Sequence, residues 1–337
     1  MDDLPYRVLQ AIGGTDVVAR LVSLSGSDFT TLMLAVARER AASETPASLL
    51  RRYRGDRFVQ PAATGWQLIR AAEDTMAAQL PPGTELLALP PLVPFGSHSV
   101  LGPMSQDKVV TTIRASEVAA DPTNALALES AVRRRAAEFR GTVRLAAFQR
   151  VVRAQRPHPG YLAHFSLLGL VTAGRDEGGH RFELTAIVEQ VRSLVIGLAA
   201  TGLGPAQLAV TPLSPVGAAI AAALPAELTD APVEVVLDLG RQAGRGYYRD
   251  LCFKINVAAG GTAVAAGGTG LVGGGTGLVG GGTGATEVAA GATELAEVGD
   301  GGFTDWTARL TASVKERLLI SGVGIDRVVA LRPDRRP

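Results

Sequence analysis

The sequence has little cysteine and little lysine, and both shortages restrict the possible functions. A single cysteine, Cys252, excludes an intramolecular disulfide and any cysteine-rich zinc site. Lysine occurs only at positions 108, 254 and 315, so arginine carries nearly all of the positive charge. The 33 basic residues are matched by 32 acidic residues, which removes a global electrostatic argument for binding nucleic acid or an acidic membrane.

Signals for export and for membrane insertion are also missing. The first residues, MDDLPYRVLQ, lack the basic-then-apolar order of a signal peptide. No run of about 18 apolar residues is free of charges. We therefore expect a cytoplasmic protein without a membrane partner.

Several common catalytic motifs are absent as well. The four histidines do not pair at helical metal-ligand spacing, and there is no G-x-S-x-G sequence. Residues 259–300 contain an exact repeat of TGLVGGG but no lysine, which a phosphate-binding P-loop requires. We predict that 259–300 form a glycine-rich insertion loop, because doubling a loop costs only about 0.6 kcal/mol of closure entropy.

The remaining patterns predict an α+β protein. Residues 1–60 read as a small helical N-terminal module, and residues 65–332 as the main body. Helices and strands in the body do not alternate regularly, which favours an antiparallel or mixed sheet flanked by helices. Near the end, apolar spacing predicts a helix carrying Trp306, Leu310, Val314 and Leu318, followed by a strand.

Four arginines stand at predicted strand ends, beside glycine or aromatic residues. They are Arg114, Arg153, Arg245 and Arg327. A single such arginine is usually solvated or paired with a carboxylate, but a guanidinium also binds phosphate oxygens in a bidentate manner. Together they indicate a polyanion held from several sides.

Six segments carry a resemblance to a known family. They are RAAEDTMAAQLPPGTELLALPPLVP, TTIRASE, FQRVVRAQRPHPGYLAHFSLLG, GRGYYRDLCF, GGFTD and GVGIDRVVAL. In this order they resemble the catalytic core of class II aminoacyl-tRNA synthetases. The resemblance is strongest to the histidyl branch, which includes the regulatory subunit of ATP phosphoribosyltransferase, and it covers about residues 65–332.

The resemblance implies ATP and Mg²⁺ as cofactors and assigns roles to individual residues. Arg153 corresponds to the arginine on the α-phosphate, Arg327 to the arginine on the γ-phosphate, and both would be catalytic. Phe165 corresponds to the aromatic ring that stacks on adenine. Gln155 stands where the family has a glutamate that reads the adenine amino group, and Tyr161 where it offers another phosphate-binding side chain.

The substrate positions implied by the resemblance depart further from the family. They are Arg114, Glu117, Leu167, Val171, Arg245, Tyr247 and Tyr248, with Glu117 near the amino-group site. For the arginine of the family's RGLDYY segment, only Arg241 or Arg245 lies nearby, in a shifted register. Leu167 and Val171 replace a glutamine and a glutamate that hold an imidazole, and Phe303 replaces the arginine of GGRYD. Each unpaired buried imidazole nitrogen would cost about 1–3 kcal/mol, which argues against histidine as substrate.

Two functions remain open at this point. The first is an ATP-dependent ligase that adenylates a small apolar amino or carboxylic acid for an acceptor other than a full tRNA, since we expect no anticodon-binding domain. The alternative is a non-catalytic regulatory or binding paralogue. In either case the resemblance implies a homodimer formed through the helix and strand of residues 66–95, with a small carboxylate or a partner enzyme as the binding partner.

Overall fold

The computed structural model describes residues 5–136, 141–155, 162–258 and 295–332. The helices are α1 Tyr6–Ile12, α2 Thr15–Ser23, α3 Gly26–Ala42, α4 Pro46–Gly55, α5 Trp66–Ala77, α6 Ser97–Leu101, α7 Pro122–Arg135, α8 Arg181–Ala200, α9 Pro215–Glu227, α10 Trp306–Thr311 and α11 Ile325–Leu331. The strands are β1 Glu85–Leu86, β2 Leu92–Pro94, β3 Ser116–Val118, β4 Val143–Val152, β5 His164–Arg175, β6 Ala206–Pro212, β7 Val233–Leu237, β8 Arg249–Ala258, β9 Leu295–Thr304 and β10 Glu316–Gly324.

The N-terminal helices α1 to α4 contain no buried residue. Side-chain caps fix the starts of α3 and α4. Ser25 accepts the backbone N–H of Asp28 at the start of α3, and Thr45 and Ser48 form a reciprocal capping box at the start of α4. These helices therefore owe little to a shared core and much to local sequence.

One large sheet organises the rest of the chain. Its strand order is β1-β4-β5-β10-β9-β8-β6-β7, and β2 and β3 form a separate pair. The central pairings are antiparallel, while the two edge pairings, β1 with β4 and β6 with β7, are parallel. The predicted α+β fold with a mixed sheet flanked by helices is confirmed.

Helices cover both faces of this sheet. The larger core lies between the sheet and α5, α8, α9 and α11, and includes buried side chains such as Met76, Ile187 and Phe253. The second face is covered by α6, α7 and α10, with Tyr247, Tyr248 and Trp306 in its core. We call this second face the front face. No helix among the described residues is long and apolar enough to span a membrane.

Glycine allows α7 to approach the front face closely. A Cβ atom at Gly169, in the middle of β5, would lie 2.7 Å from the ring of Pro122 at the start of α7. The predicted insertion of residues 259–300 lies mostly outside the described residues, and residues 295–300 belong to β9. Ala258 and Leu295 are opposite each other in the β8–β9 pairing, so the chain leaves and re-enters the sheet at adjacent positions.

Candidate functional site

The β4–β5 hairpin brings two of the predicted site residues together. Its register places Val151 opposite Phe165, and the backbone N–H of Arg153 donates to the carbonyl of Ala163 at 3.1 Å. The guanidinium carbon of Arg153 lies 5.2 Å from the centroid of the Phe165 ring, within cation–π range. The strand alternation read from the sequence is sufficient to produce this proximity.

Arg153 is only 7% exposed, and other groups of the chain bind its guanidinium. Its Nε donates to the carbonyl of Ala120 at 3.0 Å, and its Nη2 lies 3.5 Å from Oδ2 of Asp121. Asp121 is buried as well, and its Oδ1 accepts hydrogen bonds from the backbone and hydroxyl of Thr123. A buried ion pair therefore joins the end of β4 to the start of α7.

Glu117 lies near this pair, but its carboxylate caps a helix. The side chain is fully buried and accepts the backbone N–H groups of Gly96 at 3.0 Å and of His98 at 2.9 Å. Backbone N–H groups at the start of a helix have no partner within the helix, and a carboxylate accepts hydrogen bonds from them well. Arg114, three residues earlier, is exposed.

His98 connects the same elements through both ring nitrogens. Its Nε2 accepts the backbone N–H of Ala120 at 3.0 Å, so the ring proton must be on Nδ1, which donates to Oδ1 of Asn124 at 2.8 Å. This neutral tautomer links α6 to the start of α7. Within the described part of the chain, no three His, Cys, Asp or Glu side chains cluster as metal ligands.

Tyr247 and Tyr248 are buried on the front face, as an aromatic pair. Their rings meet edge to face at 4.6 Å, and Tyr247 also packs edge to face on Trp306 at 5.6 Å. Burial raises the pKa of both phenols well above the ordinary value. The negative charges of Asp121 and Asp300 raise the pKa of Tyr247 further, and the charge of Asp300 does the same for Tyr248. Arg245 is exposed, and its Nε donates to the carbonyl of Arg241 at 3.1 Å.

A second buried ion pair, between Arg241 and Asp300, lies on this face, and this pairing was not predicted. Nη2 of Arg241 is 3.6 Å from Oδ2 of Asp300, which also lies 3.4 Å from the hydroxyl of Tyr248. Nη1 of Arg241 is buried without a hydrogen-bond partner among the described residues. Neither aspartate was predicted as a partner of an arginine. The sequence indicates Asp121 only as a helix cap, and Asp300 only as a residue between two glycines.

Leu167 and Val171, the predicted substrate positions on β5, both carry apolar side chains. Both are buried on the front side of β5, where Leu167 is opposite Gln149 of β4. Gln149 is also buried, and its Nε2 donates to the carbonyl of Pro90 at 2.7 Å. Its Oε1 has no hydrogen-bond partner within the described ranges.

Arg327, Gln155 and Tyr161 are the other predicted nucleotide contacts. Arg327 is half-buried in α11, which begins beside the start of β5 because Gly324 is opposite Leu167. The carbonyl of Gln155 accepts a hydrogen bond from the guanidinium of Arg57, which precedes α5. Tyr161 lies outside the described residues.

The mixed sheet with helices on both faces has the fold of a class II aminoacyl-tRNA synthetase catalytic core, as comparison with solved structures shows. The chain is similar to a Bacillus halodurans structure described as an ATP phosphoribosyltransferase regulatory subunit/histidyl-tRNA synthetase, with 13% identity, a TM-score of 0.57 and 81% of each chain covered. It is also similar to the apo histidyl-tRNA synthetase of S. aureus, with 12% identity and a TM-score of 0.55, covering 79% of this chain and 65% of that one.

A third similar structure is a histidine–tRNA ligase subunit from Alicyclobacillus acidocaldarius, with 14% identity, a TM-score of 0.52, and 81% of this chain and 94% of that chain covered. No protein-family model matches the sequence, and no curated protein sequence matches it. At these identities the similarity establishes the fold alone.

Proposed function

We propose that this protein is a non-catalytic paralogue of the class II core, acting as a regulatory or ligand-binding subunit. The observation that carries the proposal is the state of Arg153. The guanidinium expected to hold an α-phosphate is buried against Asp121 and the carbonyl of Ala120. It also lies over the Phe165 ring, which is the surface expected to stack on adenine.

Binding of ATP at this position requires rearrangement. A phosphate that takes Arg153 leaves the buried carboxylate of Asp121 without its cation, and breaking a buried pair in this way costs about 3–5 kcal/mol. Leu167 and Val171 supply no polar group to a substrate. Both features favour a binding or regulatory role over adenylation.

A second candidate, the adenylating ligase, is favoured by one specific observation. Arg153 and Phe165 lie 5.2 Å apart on one hairpin, at the positions that the resemblance assigns to the α-phosphate and to adenine. In this reaction a carboxylate oxygen attacks the α-phosphorus, and the bond to the departing pyrophosphate breaks. ATP and Mg²⁺ would be its cofactors, and a small apolar amino or carboxylic acid its substrate.

ATP–pyrophosphate exchange separates the two candidates. We expect no exchange above background with any of the twenty amino acids in the presence of Mg²⁺. Exchange that depends on one amino acid and is abolished by Arg153→Ala would contradict the proposal and establish the ligase.

The regulatory role has its own test. The Bacillus halodurans neighbour is described as an ATP phosphoribosyltransferase regulatory subunit/histidyl-tRNA synthetase. If this chain plays a comparable role, it should co-elute with the ATP phosphoribosyltransferase catalytic chain of its own organism and change that enzyme's activity. Failure to do either would limit the proposal to a ligand-binding subunit.

We also propose that the protein self-associates through residues 66–95. This segment exposes several large apolar side chains, as dimer surfaces do: Trp66, Leu68, Leu86, Leu92 and Phe95. Analytical ultracentrifugation is expected to show a dimer that Trp66→Glu weakens. Val314→Glu is the matched control, because Val314 is also highly exposed but lies outside the segment.

A further inference from the structure

A cavity of about 490 Å³ lies at the start of β8. The sheet register places Arg249 of β8 opposite Phe303 of β9, and Phe303 opposite Leu319 of β10. Leu319 is in turn opposite Thr172 of β5, and the step along β5 from Phe165 to Thr172 corresponds to roughly 23 Å of extended strand. The cavity is therefore separate from the mouth of the β4–β5 hairpin, and its size suits a small organic ligand.

Two charged side chains in the cavity wall have no partner of opposite charge among the described residues. They are the guanidinium of Arg245 and the carboxylate of Asp250. Nε of Arg245 donates to the carbonyl of Arg241 at 3.1 Å, and Oδ1 of Asp250 accepts the hydroxyl of Ser214 at 2.7 Å. Arg245 is exposed and Asp250 partly exposed, so a ligand can reach both charges.

The charges of the described wall balance. Two arginines, Arg245 and Arg249, and two aspartates, Asp250 and Asp305, line the cavity. Arg249 and Asp305 pair with each other at 3.0 Å. A singly charged ligand could neutralise either Arg245 or Asp250 and would leave the other unpaired. A ligand without net charge that carries both a cation and an anion would satisfy both.

The backbone holds Asp250 in an unusual conformation. The β8–β9 register shifts between Arg249 and Cys252, and Asp250 within this bulge has a φ of 54°. Aspartate is one of the few L-residues that tolerate the left-handed region, and bulges of this kind redirect side chains. The carbonyl of Asp250 accepts the backbone N–H of Leu213 at 2.7 Å. With Oδ1 already bound by Ser214, Oδ2 is the oxygen available to a ligand.

Arg245 is held on a tight turn. It lies between Gly244 and Gly246, whose φ values are 87° and 83°. The backbone N–H of Tyr248 closes the turn by donating to the carbonyl of Gly244 at 3.0 Å. Because Nε of Arg245 is bound by the carbonyl of Arg241, the two terminal nitrogens remain for a carboxylate, which a guanidinium binds in a bidentate manner.

We propose that this cavity binds a small zwitterion whose carboxylate and ammonium groups are separated by a short chain, as in an ω-amino acid. The carboxylate accepts hydrogen bonds from Arg245, and the ammonium group donates to Oδ2 of Asp250. Neither Leu167 nor Val171 lines the cavity, so the site does not coincide with the substrate pocket that the resemblance implies, although Arg245 was assigned to that pocket. The site is also independent of the nucleotide position at Arg153.

Ligand-observed NMR titrations of the full chain test the charge pattern with three probes of similar length. They are 4-aminobutyrate, butylamine and butyrate, used near neutral pH, where the amines are protonated and the acids ionised. We expect saturable binding of 4-aminobutyrate that is at least about threefold tighter than binding of either singly charged probe, since an exposed ion pair contributes up to about fivefold in affinity. Equal binding of the three probes, or no saturable binding of 4-aminobutyrate, would overturn the proposal.

Two variants assign the binding to the two unpaired charges. Arg245→Gln and Asp250→Asn each remove one charge, and asparagine tolerates the left-handed conformation and can still accept the hydroxyl of Ser214. Each variant should bind 4-aminobutyrate at least about threefold more weakly. The controls are Arg192→Gln and Asp230→Asn, the two halves of an ion pair outside this cavity. Cavity variants that weaken binding no more than the controls would place the ligand elsewhere.

A charge reversal guards against loss of binding through misfolding. Arg245 is exposed, so Arg245→Glu is expected to fold, which circular dichroism checks. Its cavity then carries two carboxylates without a cationic partner. We expect the variant to lose affinity for 4-aminobutyrate and to gain saturable binding of 1,4-diaminobutane, a dication of similar length. A folded Arg245→Glu protein that keeps its affinity for 4-aminobutyrate, or gains none for the diamine, would contradict the proposal.

Discussion

The buried pair of Arg153 and Asp121 yields the most direct prediction, which is the effect of replacing Arg153 with methionine. Methionine preserves much of the side-chain volume but leaves Asp121 as a buried, unpaired carboxylate. The two side chains are 8% and 1% exposed. Removing one partner of a pair buried to this degree costs about 3–5 kcal/mol of unfolding free energy.

The companion change is Asp121→Asn, combined with Arg153→Met. Asparagine caps a helix about as well as aspartate, so the hydrogen bonds of Oδ1 at the start of α7 can be kept. With both charges removed, no unpaired ion remains, and we expect the double variant to recover most of the lost stability. The control is Arg144→Met on the same strand. Its ion pair with Glu189 is 24% and 29% exposed, so its loss should cost about 0–1 kcal/mol.

Urea unfolding followed by circular dichroism measures all four proteins. A cost of Arg153→Met no larger than that of Arg144→Met would refute the reasoning, since the pair would then contribute nothing to the fold. Arg153 would in that case be available to a phosphate, and the adenylating ligase would become the stronger candidate.

Gly217→Ala is expected to lower the free energy of unfolding by at least about 1–3 kcal/mol, because the new Cβ would lie 1.7 Å from the carbonyl oxygen of Asp250. Gly204→Ala is the control in the same urea titration, because the space around Gly204 is open. Glu117→Gln should lower the free energy of unfolding by about 1.5–3 kcal/mol, because an amide has only one acceptor oxygen for the two backbone donors. A loss of ligand affinity with an unchanged free energy of unfolding would contradict this prediction. The raised pKa values of Tyr247 and Tyr248 keep both phenols neutral in the folded protein. The stability they contribute is complete below the ordinary phenol pKa of about 10 and lost as pH rises beyond it. A phenolate absorbance that reaches its full value before unfolding would refute that sign.

The sequence was informative where structure depends on near neighbours. Alternation of apolar residues around a proline-rich turn predicts the β4–β5 hairpin, and with it the proximity of Arg153 and Phe165. The partners of Arg153 come from 32 and 33 residues earlier in the chain, at Asp121 and Ala120. No local pattern indicates which carboxylate a buried arginine will meet, since that follows from how α7 packs on the sheet.

The region after Trp306 shows where periodicity misleads. The spacing of apolar residues predicts one helix from Trp306 to Leu318, and this is wrong. The helix ends at Thr311, Ala312 adopts a left-handed conformation with φ of 55°, and β10 begins at Glu316. Val314, counted as part of the apolar stripe, is 88% exposed. Residues 316–324 instead form β10, which pairs with β5 on one side and β9 on the other. This pairing outweighs the local preference for a longer helix.

The strand order has a consequence for synthesis of the chain. β10 lies between β5 and β9, although it follows both in sequence and comes from residues 316–324. Until those residues leave the ribosome, β5 and β9 each have an unpaired edge in what becomes the middle of the sheet. Unpaired edges of this kind recruit other strands. Nascent or truncated chains that stop before β10 should therefore depend on chaperones and aggregate readily, whereas chains that include β10 can pair both edges.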